Sequence, residues 1–164
     1  MPARDRSAML EYQGANRFVA TTGSKREIVY GDDVPKGELS PMETVMVSLA
    51  SCSAMDVISI ALKKRQQVTR YEILVSANQR DEYPQIITRA DVTHVVEGPM
   101  VEEAAIRRAI ELSATKYCPV NAMLSAGDTE VHHGYRIRNT GPEAFEAEGE
   151  VVVTGPHRRP DTIA

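Results

Sequence analysis

The stretch that decides the fold is LSPMETVMVSLASCSAMDVISIALKKR, running from Leu39 to Arg65. Ser40 suits a helix N-cap, and Pro41 at the first helical position loses nothing by lacking an N–H. Glu43, three residues past the cap, completes a capping box. From Val45 to Leu62 the sequence is apolar on nearly every side of a helix, which is the mark of a buried one. Roughly 25 residues at about 1.5 Å each would nearly cross a bilayer. Glu43 and Asp56 inside the stretch, and Lys63-Lys64-Arg65 at its end, point instead to the core of a soluble protein. Cys52 lies near the middle, framed by Ala50, Ser51, Ser53 and Ala54. Small neighbours leave room beside a sulfur.

On the N-terminal side, Ala8–Tyr12, Arg17–Thr21 and Glu27–Tyr30 read as short strands separated by the turn-rich Gln13–Asn16 and Gly23–Lys25. A hairpin meander follows, and a loop from Gly31 to Gly37 delivers the chain to the Ser40 cap. On the C-terminal side, Thr69–Asn78 alternates with Tyr71, Ile73 and Val75 on one side, and Ile86–Val96 is a second strand-like run. Val101–Tyr117 carries an apolar stripe opposite Glu102, Glu103, Arg107, Arg108 and Glu111, and so reads as a helix. Cys118-Pro119 breaks it, Val120–Ala126 restarts it, and Glu130–Arg138 is a last strand. From Asn139 the character changes: Glu143, Glu146, Glu148 and Glu150 dominate, and residues 140–164 read as an acidic, disordered tail. Val151–Val153 is left open as an edge strand. The order gives an α+β fold with helices gathered on an antiparallel sheet. A helix apolar all round is hard to cover within one such domain, so a second copy is the natural cover and a homodimer is expected.

The composition excludes several functions. In 164 residues the charged fraction is 26%, the net charge is −4 and there is no basic run, which gives no reason to expect nucleic acid. Aromatics make up 5% with no tryptophan, too few for base-stacking platforms. No apolar segment follows the charged N-terminus, so no secretory signal is read and a cytoplasmic location is expected, with no membrane partner. Nothing matches a phosphate loop, a nucleophile elbow or a dinucleotide fingerprint, so no cofactor is expected.

The chemistry therefore rests on two cysteines, Cys52 and Cys118, far apart in the chain. Their spacing fits neither a CxxC redox motif nor a zinc knuckle, and counting alone leaves inert buried thiols and a reactive pair both open. Cys118 precedes Pro119 and can cap the restarted helix, where free N–H groups stabilise a thiolate. Cys52 has no such help and would need a cation, for which Arg17, Lys25 and Arg26 are candidates. Glu43 lies nine residues from Cys52, on the opposite face of a straight helix at about 100° per residue, and reads first as a capping residue. Asp56 shares the Cys52 face, where a carboxylate would raise a thiol's pKa, and reads as a polar anchor. His132 and His133 point to opposite faces of a strand, and no ligand spacing supports a metal site. His94 reads as a half-buried strand residue.

Taken together, Leu39–Glu43, Ala50–Val57 and Ala114–Val120 resemble the OsmC/Ohr family (osmotically inducible protein C-like), in its YhfA-like branch. The likeness spans about Met9 to Arg138, placing an OsmC-like domain over residues 1–139. It implies an OsmC-like α+β fold with a long buried central helix, assembled as an intertwined homodimer with sites at the subunit interface. It also implies a thiol peroxidase for organic hydroperoxides, with Cys52 peroxidatic, Cys118 resolving and an external dithiol as reductant. In the hydroperoxide-resistance members a Glu directly after the helix-starting proline pairs with an Arg from the N-terminal strands. Here Met42 holds that place, Glu43 comes one residue later, and Arg17 and Arg26 both compete as the matching arginine. The competing expectation is a dimeric small-molecule-binding protein that keeps the fold with weak or no peroxidase activity.

Overall fold

The computed structural model describes residues 6–31 and 37–156. Most of the expected loop before the Ser40 cap and the end from His157 lie outside the described residues. The chain divides into two compact units, residues 1–45 and 46–164.

In the first unit, β1 (Ala8–Gly14), β2 (Arg17–Thr22) and β3 (Glu27–Tyr30) form the expected antiparallel meander. The β1–β2 connection is tight, with Gly14, Ala15 and Asn16 all at positive φ, a conformation glycine and asparagine accept most readily. Helix α1 then runs from Pro41 to Lys63. Its start is the capping box read from sequence: the Ser40 N–H donates to Glu43 Oε2 at 2.8 Å, and the Glu43 N–H donates to Ser40 Oγ at 3.2 Å. The helix does not bury all round, however. Leu49, Ser53, Val57 and Ala61, spaced four apart, form its buried stripe, while Val47, Met55 and Leu62 are more than half exposed. The helix is long and apolar enough to span a membrane, yet Val57 and Ala61 pack into the protein core.

The second unit is built on β4 (Arg70–Gln79), β5 (Ile87–Gly98), β6 (Glu130–Asn139) and β7 (Phe145–Thr154), in that spatial order. Between β5 and β6 come α2 (Glu103–Leu112), a π-helical turn (Ser113–Tyr117) and α3 (Pro119–Ser125). This long helical crossover makes the β5–β6 pair parallel, so the sheet is mixed rather than wholly antiparallel. Val57, Ala61, Val96, Ile106, Ala109, Ile110 and Ile137 make the core between α1, α2 and the sheet.

The expected disordered tail needs correction. Residues 145–154 form β7, antiparallel to β6, so the sheet extends well past residue 139. Three of the glutamates that suggested a solvated tail, Glu146, Glu148 and Glu150, recur at every second position, which is a strand period. Glu146 faces Arg138 at 3.5 Å and Glu148 faces Arg136 at 3.7 Å, while a β-bulge opposite His133 and Gly134 shifts the register so that Val152 and Thr154 turn into the interior.

Candidate active site

The two cysteines meet in the second unit. The backbone before Cys118 widens into the π-helical turn, closed by the Cys118 N–H on the Ser113 carbonyl at 2.9 Å. Such turns occur often at functional sites because they displace the residues that follow. Pro119 then starts α3, and Cys118, extended at φ −73° and ψ 104°, is its N-cap. The Asn121 N–H donates to Cys118 Sγ at 3.3 Å, in the place where a serine would normally accept. Cys118 is 2% exposed, Cys52 is partly exposed, and the Cys52 side chain is near enough to Cys118 to raise its pKa.

That arrangement overturns the expectation of an acidic Cys118. Burial first, and then the neighbouring Cys52 side chain, push the Cys118 thiol up to about 12, although the Asn121 and Val120 N–H groups pull the other way. Cys118 is therefore a thiol that its surroundings hold toward the neutral form, beside the more exposed Cys52.

Behind the thiols lies a buried polar network. His94 on β5 and His133 on β6 are both fully buried, not half-buried as expected for His94, and their rings stack with centroids 6.1 Å apart. Burial first, and then a neighbouring imidazole, hold His94 down at about 3 and His133 at about 4, so both are neutral. His94 Nδ1 is 2.7 Å from the Tyr71 hydroxyl, and His94 Nε2 is 3.4 Å from Ser53 Oγ. Ser53 Oγ is 3.4 Å from Ser113 Oγ, which donates to Asp56 Oδ2 at 3.1 Å. Asp56 is thus the polar anchor read from sequence. His133 Nε2 is 3.0 Å from Asn121 Oδ1, on the residue whose backbone holds Cys118. His132 points to the other face, between Glu130 and Glu150.

The expected supporting residues divide. Glu43 serves the α1 cap, and Arg26 is exposed, its own N–H bonded to Thr22 Oγ1. Arg17 has a carboxylate partner in the first unit: its Nε lies 3.1 Å from Oε1 of the buried Glu38. That carboxylate lies directly over Gly31, where a Cβ would meet it. An arginine–glutamate pair is present, then, but with a glutamate just before the helix rather than inside it.

Residues 32–133, which include both cysteines, match the OsmC-like protein family. The chain belongs to that family. YhfA of Escherichia coli K12 is 38% identical over 124 residues, spanning 73% of this chain and 89% of YhfA. Among solved structures, a hypothetical protein of Aquifex aeolicus VF5 superposes with a TM-score of 0.75 at 32% identity, covering 83% of this chain and 98% of that one. An organic hydroperoxide resistance protein of Elizabethkingia anophelis gives a TM-score of 0.62 at 11% identity, covering 85% of this chain and 99% of its own. At that identity the likeness speaks for the OsmC-like fold alone. Three members of the polar network, His94, Asn121 and His133, fall inside the family match, and Thr154, which touches Asn121, lies beyond it. Their signal in the sequence was faint. Ala90, Val92, His94 and Val96 share one strand face, and Asn121 stands three residues after a helix cap.

Proposed function

We propose that this OsmC-like protein is a thiol-dependent peroxidase that reduces organic hydroperoxides. The observation that carries the reading is a neighbouring pair of thiols of unequal exposure: Cys118, buried and pushed toward its neutral form, beside the more accessible Cys52. Cys52, as thiolate, attacks the distal peroxide oxygen. The O–O bond breaks, the departing alkoxide takes up a proton to leave as an alcohol, and Cys52 becomes a sulfenic acid. The Cys118 sulfur then attacks the Cys52 sulfur, the S–O bond breaks with loss of water, and a Cys52–Cys118 disulfide forms. An external dithiol returns both thiols by exchange. Apolar neighbours of Cys52 favour an alkyl peroxide over hydrogen peroxide. Arg17, which holds a carboxylate partner, is our choice for the supporting arginine over Arg26. A homodimer is the proposed working unit, because Val47, Met55 and Leu62 leave apolar α1 surface for a second copy to cover.

The test is a count of free thiols before and after one equivalent of tert-butyl hydroperoxide. Loss of both thiols per chain, with one equivalent of alcohol formed, supports the reading. Unchanged thiols would overturn it and favour a dimeric binding protein on the same fold.

A further inference from the structure

The Asn121 side chain is 1% exposed and fully engaged. Its Nδ2 donates to the Ala114 carbonyl at 2.7 Å and to Thr154 Oγ1 at 3.1 Å. Its Oδ1 accepts from the Thr154 hydroxyl at 3.3 Å and faces His133 Nε2 at 3.0 Å. An amide oxygen only accepts, so His133 must carry its proton on Nε2. That choice leaves His133 Nδ1 as a bare acceptor, buried and without a hydrogen-bond partner among the described residues. An unpaired buried acceptor is destabilising, and an aliphatic side chain of similar size would avoid the cost. The bonded side of the imidazole, Nε2–H, orients the side-chain amide of Asn121, whose backbone N–H holds Cys118.

We propose that His133, Asn121 and Thr154 form a buried clamp that positions the Cys118 sulfur for closure onto Cys52, which makes the last strand, β7, part of the redox site. The proposal rests on the peroxidase reading above for its biological role. The stacked His94, tied to Ser53 beside Cys52, backs the clamp from the other side. All three are positioning residues, because none of them touches the reacting sulfurs with its side chain.

The experiment separates two steps in Thr154→Val, His133→Leu and His133→Gln. Sulfenic acid on Cys52 is trapped with a dimedone probe after rapid mixing with tert-butyl hydroperoxide. Closure of the Cys52–Cys118 disulfide is timed by acid quench, both with that peroxide and with diamide, which oxidises thiol pairs directly. Thr154→Val and His133→Leu should form sulfenic acid within about twofold of the unaltered protein and close the disulfide about tenfold more slowly. His133→Gln should regain most of the closure rate, since its amide N–H reaches the place of Nε2. A role in folding alone would lower stability without separating the steps and would give no rescue by glutamine. Closure at the unaltered rate in Thr154→Val overturns the clamp, even if His133→Leu fails to fold. If the unaltered protein forms no sulfenic acid, the peroxidase reading fails by itself, and the diamide rates still decide the clamp.

Discussion

Two helix starts in this molecule use the same device to opposite effect. At α1, Ser40 and Glu43 exchange hydrogen bonds in the open, and the Ser40 N–H holds the Glu43 carboxyl below the usual carboxylate range. At α3, Cys118 accepts from the Asn121 N–H in the same cap geometry, yet its thiol is pushed up to about 12. The difference is solvent. In water an N-terminal turn is the strongest nearby influence on an acid. In the interior, desolvation and a neighbouring sulfur outweigh two N–H groups. A cap is a local feature, but its effect on acidity is set by everything packed around it.

The largest effect that could break this contrast is on catalysis. Cys52→Ser should abolish peroxide turnover, whereas Cys118→Ser should consume about one equivalent and stall, as followed by steady-state and single-turnover peroxide assays. Substantial steady turnover by Cys52→Ser would mean that the buried cap is the attacking thiol after all. Next in size, truncation after Thr140 removes β7 and with it Val152 and Thr154 from beneath the buried cap, leaving the exposed cap untouched. It should lower the melting temperature by about 10 °C or more. An unchanged melting curve would mean that β7 adds nothing to the fold.

Acidity offers a third test. His94 and His133, at about 3 and about 4 when folded, lie below the ordinary imidazole value of about 6.5. Below that value the unfolded chain binds protons that the folded chain refuses. Stability is thus fully present above about pH 6.5 and falls as pH drops toward 4, by up to about 1.4 kcal/mol per pH unit for each histidine. Urea unfolding across that range should show the slope, and His133→Leu should remove that histidine's share of it while the His94 share remains. The smallest effect belongs to the exposed cap. Ser40→Ala should cost about 1 kcal/mol in the same unfolding assay, and Glu43→Gln should leave peroxide turnover unchanged, in contrast to Arg17→Met, which should slow the first step.

How far the sequence could be read follows the same division between local and distant causes. Ser40-Pro41-Met42-Glu43 carries its own cap, and Cys118-Pro119 carries its own break, so both helix starts were legible. The strands showed in their alternation, though the parallel pairing of β5 with β6 depends on a crossover that no single strand announces. In β7 the period of Glu146, Glu148 and Glu150 was present but hidden by composition, because Arg136 and Arg138, which make those charges useful, sit on another strand. The Arg17–Glu38 pair and the His133–Asn121–Thr154 contacts were not legible at all. Each joins residues from separate elements, and only the fold brings them within hydrogen-bonding distance.

The central claim is the asymmetry of the two thiols, and dimedone trapping in the single mutants tests it most directly. After one equivalent of tert-butyl hydroperoxide, Cys118→Ser should be labelled on Cys52, and Cys52→Ser should remain unlabelled. Labelling confined to Cys52→Ser would reverse the two roles and contradict the account.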